Sequence, residues 1–216
     1  ATAGRLGERE TGAGEDGLRG QDKRAGRRHA RESAGMLGRA ALLLAVLAAV
    51  TFLVEGAVLD WGALLIIDRQ LAPAQSAGMG YILFSVAMVL ARLTGDSIIV
   101  RLGGFQVLVY GGLATMLGVA MVLVASWPPL ALSGFVLIGL GAANLVPIVF
   151  SAAGRQKIMA PGLAIASVTT TGYAGILMGP ALIGFTAQAT SLPTAFWLLA
   201  LLMALLPLTA RFVVRA

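Results

Sequence analysis

The charged residues divide this chain into long apolar stretches. After Arg39 the first apolar run covers residues 40–67, interrupted only by Glu55 and Asp60, and Asp68 and Arg69 end it. Residues 70–91 carry no charge, and Arg92, Asp96 and Arg101 then mark a polar stretch. Residues 102–154 are 53 positions without a charge. One helix of that length would measure about 80 Å, against about 30 Å of bilayer hydrocarbon, so the run must fold back. Ser126-Trp127-Pro128-Pro129 is the place, because two successive prolines cannot continue a helix. Arg155 and Lys157 close the run, and a second uncharged run of 53 residues, 158–210, breaks at 188–193 before Arg211 and Arg215. The pattern predicts six helices, at about 40–67, 75–100, 103–125, 129–153, 161–188 and 193–213. Strands are excluded: the runs are too long and do not alternate, and lipid admits only helices or closed barrels.

Composition agrees with the pattern. Of 216 residues 58% are apolar, 28 are Gly and 12% are charged, where a soluble domain carries about 25% charge. Residues 1–39 hold 15 of the charges, which leaves 11 for the other 177 positions. That is too few to solvate a water-exposed surface, so a soluble globular enzyme and a disordered chain are both excluded. The chain reads as an all-α membrane protein that needs the lipid bilayer as a partner.

Three segments follow: a polar Arg/Gly-rich tail or loop at 1–39, a six-helix transmembrane domain at 40–213 and a short end at 214–216. The tail has no apolar core and is no signal peptide. Its six acids among nine Lys/Arg are too many for a transit peptide. The chain opens on Ala1 rather than Met, which reads as a fragment or a processed product.

Charge also predicts orientation. Six spans put both ends on one side, and that side collects 15 Lys/Arg against one, Arg69, on the other. The positive-inside rule makes the basic side cytoplasmic, in a bacterial inner membrane. Trp61, Trp127 and Trp197 all fall near the outer ends of spans, as interfacial aromatics do. The basic excess is thereby a topology signal, and no nucleic-acid partner is expected.

The polar residues inside the spans carry the candidate chemistry. Glu55 lies near the middle of the first span, where a charge costs about 2.5–3.5 kcal/mol on insertion scales. It should face a cavity or a partner: either a solute- or proton-binding carboxylate, or half of a salt bridge between helices. Asp60 lies five residues on, about 140° around the helix from Glu55, so the two do not share a site on a regular helix. It is either a second binding carboxylate or a hydrogen-bonded interfacial residue beside Trp61. Asn144, with Pro147 one turn on, and Tyr173 either hydrogen-bond a polar solute or bridge helices. Spans one, four and five therefore line an interior path, while spans three and six, nearly free of polar side chains, face lipid. Every third helix is bland, which hints at a three-plus-three repeat. Arg92 and Asp96 are spaced to pair at the inner end of the second span. Gly175, Gly179, Pro180 and Gly184 allow close helix approach and a bend.

Enzymatic signatures are missing. There is no Cys, and the one His, His29, lies in the tail. No GxSxG, P-loop or acidic cluster occurs, so no enzyme, metal or cofactor is expected.

These features resemble the C-terminal half of a major facilitator superfamily permease. Gly95-Asp96-Ser-Ile-Ile-Val-Arg101-Leu-Gly103 is similar to that family's inner turn, although its acid stands five residues before the Arg rather than beside it. Gly175-Ile-Leu-Met-Gly179-Pro180-Ala-Leu-Ile-Gly184 is similar to the Gly-Pro motif of the fifth helix of each half. Glu55-Gly56-Ala57-Val58-Leu59-Asp60-Trp61 resembles the opening helix of bacterial sugar (fucose-type) permeases. The resemblance covers residues 40–213. It implies a secondary transporter that moves a small organic solute by alternating access, with or without a coupled proton. It also implies an N-terminal six-helix half, in the same polypeptide or a partner chain. Glu55 would be the coupling or binding carboxylate, Asn144 and Tyr173 cavity groups, and Arg92, Asp96, Arg101 and Gly103 an inner gate. The competing expectation is a six-helix scaffold, sensor or permease remnant that transports nothing, or a half-transporter acting as a dimer.

Overall fold

A computed structural model of the chain describes residues 41–156 and 160–215. The tail with His29, and Lys157 at the turn after the fourth span, lie outside the described residues. Among the described residues six helices are long and apolar enough to cross a membrane, and there is no strand. The first span is one helix, α1 (Ala41–Asp68). The second is a 3-10 turn (Ala74–Ser76) followed by α2 (Met79–Leu93) and α3 (Gly95–Leu102). α4 (Gly104–Val124) is the third, and α5 (Pro128–Ala142) with α6 (Leu145–Arg155) makes the fourth. α7 (Pro161–Ala189) is the fifth, and α8 (Leu192–Met203) with α9 (Leu205–Arg215) makes the sixth.

Local chemistry explains where the helices stop. α1 ends in a paired bond motif, Leu71 N–H to Ile66 C=O at 3.0 Å and Gln70 N–H to Ile67 C=O at 3.0 Å, with Gln70 left-handed at φ 55°. Pro128, Pro161 and Pro193 stand in the first turns of α5, α7 and α8, where a missing N–H costs nothing. The Ser191 hydroxyl accepts the Thr194 N–H at 3.2 Å and caps α8. Gly103 closes α3 at φ 81° and ψ 151°, a region open to glycine almost alone. Gly103→Ala is therefore expected to cost about 1–3 kcal/mol, read as a lower melting temperature in detergent.

Three spans predicted as continuous helices are interrupted, at Thr94, at Ala143–Asn144 and at Ala204. The break in the fourth span has a plain cause. Pro147 has no N–H to give the carbonyl four residues back, that of Ala143. In the second span Thr94 turns its hydroxyl onto the Leu90 and Ala91 carbonyls, at 3.2 and 3.3 Å, which competes with helix continuation.

Small residues set the packing between spans. An added Cβ on Gly118 would meet the Gly134 carbonyl oxygen at 2.6 Å, and one on Gly134 would meet that of Gly118 at 2.5 Å. Gly111 and Gly141 repeat this reciprocal contact one heptad along, so α4 and α5 run antiparallel with backbones touching. Gly175 sits on the Ala49 backbone, Gly179 on Leu53 and Gly184 on the Trp61 ring, which brings α7 against α1. Pro180 lies inside α7. The first and fourth spans are the interior ones: 61% of each is buried, against 22% of the fifth. The open side of the unit is therefore the fifth span, with Leu177 and Phe185 on it, rather than the third.

Candidate functional site

The site starts from the open stripe of α1. Phe52, Glu55 and Leu59 recur at helical spacing and stay wholly or partly accessible, while Leu47, Val54, Val58 and Leu65 bury the neighbouring face of the helix. Glu55 stands about 21 Å along a helix of about 42 Å, near its midpoint. Its side chain keeps 17% of its surface accessible. Arg92 answers it from α2: Nη2 donates to Glu55 Oε1 at 3.3 Å and to Oε2 at 3.5 Å.

Arg92 therefore departs from the sequence expectation. It does not sit at the inner turn beside Asp96, and no ion pair joins the two among the described residues. The break at Thr94 puts them in different helices, which removes the one-turn register. α3 then runs eight residues further, so the second span ends at Leu102 and Arg92 lies at the depth of Glu55. Asp96 and Arg101 occupy the first and last turns of α3, and Gly103 caps it.

The same guanidinium reaches a second group. Arg92 Nε donates at 3.3 Å to the Ala143 carbonyl, the one that Pro147 leaves without a helical partner. The neighbouring residue returns the contact. Asn144 Nδ2 donates at 3.4 Å to the Ala91 carbonyl at the break of the second span. Two helix interruptions are thus sewn together by reciprocal side-chain-to-backbone bonds, which satisfies carbonyls that lipid could not. Gly95 makes room for this, since a Cβ there would overlap Asn144 Oδ1. Asn144 is 7% exposed, and it bridges helices.

Tyr173 lies on α7, 57% exposed, with its ring stacked on Phe52 at 5.8 Å and 15°. Phe150 of α6 meets Phe52 edge-on at 6.4 Å. Spans one, four and five thus share an aromatic cluster one turn from Glu55. Asp60 is exposed on α1 and is not brought to Glu55. Trp61 beside it has a buried indole N–H without a protein partner. Sequence reasoning missed Phe52, Phe150 and the depth of Arg92. The signal for Arg92 was Pro147, whose unpaired carbonyl needs a donor from another helix.

A groove of about 470 Å³ opens beside this joint, between α2, α3, α4 and α5, with Ala91, Thr94 and Asn144 in its wall. Leu90, Leu102, Tyr110 and Leu140 make it apolar, and neither Glu55 nor Arg92 lines it.

Fold and site together define an integral membrane protein with an ion pair at membrane depth and an aromatic cluster on its open face. Comparison with known proteins narrows this class. No family model matches the chain. It is 47% identical over 175 residues to an uncharacterised major-facilitator-type transporter of Yersinia pestis, a match that covers 81% of this chain and 45% of that protein. It is 34% identical over 168 residues to an uncharacterised transporter of Sinorhizobium fredii, covering 78% and 45%. It is 32% identical over 154 residues to membrane protein MosC of Rhizobium meliloti, covering 71% and 38%. The chain spans less than half the length of these relatives. With its six apolar helices, it belongs to the major facilitator superfamily of membrane transporters.

Proposed function

We propose that this chain is the C-terminal half of a secondary transporter that moves a small organic solute by alternating access, coupled to protons through Glu55. The observation that carries this reading is the Glu55–Arg92 pair at 3.3 Å, at membrane depth on the open face. A carboxylate in that place is costly and marks a solute or proton path in helical membrane proteins. Relatives about twice as long, named as transporters, leave room for the opposing six-helix half. The cavity would lie between the halves, edged by Phe52 and Tyr173.

The membrane is the bacterial cytoplasmic one, with both ends of this chain on the cytoplasmic side. Moving Arg92 to membrane depth leaves 14 Lys/Arg against one, so the positive-inside argument keeps its force.

Cells expressing the full-length protein can be offered radiolabelled sugars, polyols, organic acids and amino acids. At least one is expected to accumulate uphill, and a protonophore should abolish the gradient. Glu55→Gln should lose uphill accumulation while retaining exchange down a gradient. Normal accumulation by Glu55→Gln would remove it from the coupling role.

A further inference from the structure

We infer that the transported solute is an anion, seated on the free edge of Arg92 in exchange for the Glu55 carboxylate. The inference rests on the transporter reading and adds the class of solute. It starts from unequal exposure within the ion pair. Arg92 keeps 46% of its side chain accessible and Glu55 only 17%, so an entering solute meets the cation first.

The guanidinium is also held for the purpose. Nε is fixed to the Ala143 carbonyl at the break of the fourth span, and Nη2 faces Glu55. Among the described residues no protein group bonds Nη1. The Nη1–Nη2 edge is the fork that takes a carboxylate through two parallel bonds. The anchor at Ala143 does not depend on Glu55, so Arg92 stays in place when Glu55 lets go.

Charge neutrality then links solute and proton. Paired, the two side chains carry no net charge. If an aqueous proton binds a Glu55 carboxylate oxygen, Arg92 is left as an uncompensated cation at membrane depth, which is unfavourable. An anion on Nη1 and Nη2 restores neutrality. Conversely, an anion that arrives while Glu55 is ionised puts two negative charges beside one positive charge. Each ligand therefore favours the other, and the coupling is reciprocal. One proton and one monovalent anion enter together.

No other charged side chain interferes. On α1 the next is Asp60, more than a turn outward, and α2 contributes Arg92 alone. The facing stretches of α5, α6 and α7 are uncharged up to Arg155, and α7 offers only the Tyr173 phenol near Phe52.

Formate, the smallest carboxylate, is the probe. Full-length protein in lightly buffered, chloride-free detergent is titrated with sodium formate at constant ionic strength, with the sodium salt of a bulky aromatic disulfonate as the balancing salt, and the pH is followed. The wild type should take up about one proton per molecule at saturation. Its formate dissociation constant should fall about tenfold per pH unit of acidification wherever Glu55 is ionised before binding. Glu55→Gln should bind formate without proton uptake, and Arg92→Gln should bind none. Glu55→Gln/Arg92→Gln, neutral at both positions, controls for folding by gel filtration. Absence of formate-linked proton uptake, equal uptake by Arg92→Gln, or proton release on adding methylammonium would each overturn the inference. Transport is judged separately, by accumulation in cells. Formate-linked uptake without any accumulation would retain the anion seat and remove the permease reading.

Discussion

Gly118→Leu is expected to prevent the six-helix unit from folding. A Cβ at this position lands 2.6 Å from the Gly134 carbonyl oxygen and 2.8 Å from the Ile138 amide nitrogen. Both are backbone atoms of α5, and a rotamer change cannot move them. The helices would have to part, which also opens the Gly111–Gly141 contact on the same seam. Overpacking a core by a few methylenes costs about 1–3 kcal/mol, and a whole leucine against backbone exceeds that range. Membrane helices have no hydrophobic drive between them to offset the loss, because lipid tails are as apolar as the side chains. Full-length protein carrying Gly118→Leu should be degraded in cells or elute as aggregate in detergent. Gly162→Leu, where no atom lies within 4 Å of an added Cβ, should express and elute as the wild type does. Similar behaviour of the two variants would mean that α4 and α5 are not in backbone contact.

Much of this was readable from residues. Span number followed from charge spacing, because a 53-residue apolar run is too long for one crossing and its prolines mark the turn. Glu55 was readable as the costly residue of the first span. What periodicity could not reveal is which residues on different helices meet. Arg92 looked like an end-of-helix charge because the charged cluster at 92–101 resembles a loop. In the structure the cluster straddles a break, with one charge above it and two on α3. The break itself left two faint marks, Thr94-Gly95 and the pair Asn144 and Pro147. Each alone is common in membrane helices; only their juxtaposition across 53 residues of sequence makes a joint. The third span has two faces that polarity alone does not separate: its few polar side chains suggested a lipid face, and Leu113 and Leu117 are exposed on it, while its glycines make the other face a packing surface for α5.

The joint makes a quantitative expectation for Arg92. Arg92→Leu removes two things: the countercharge of Glu55 and the donor to the Ala143 carbonyl. Breaking a buried ion pair costs about 3–5 kcal/mol. Arg92 is nearly half accessible, at 46%, so solvent takes up part of this and the charge component should fall to about 2 kcal/mol. The lost bond to Ala143 adds about 1–2 kcal/mol. Glu55→Leu removes only the charge component, leaving Arg92 unpaired. The double variant Glu55→Leu/Arg92→Leu has no stranded charge and should recover most of that component, but it still lacks the donor to Ala143. Denaturation of the full-length protein in detergent should therefore give a double variant more stable than Arg92→Leu alone. The charge component is lost in each single variant and mostly regained in the double, so the coupling between the two sites should be about 3 kcal/mol, at the upper end of the range for contacting residues. Asn144→Leu breaks the other strand of the joint, from Asn144 to Ala91, and does not touch Glu55. Its cost should add to that of Glu55→Leu within about 0.5 kcal/mol, yet couple to that of Arg92→Leu. Simple additivity for all three pairs would mean that Arg92 does not hold the carboxylate and the helix break at once, and the anchored cation that the proposed anion seat requires would be lost with it.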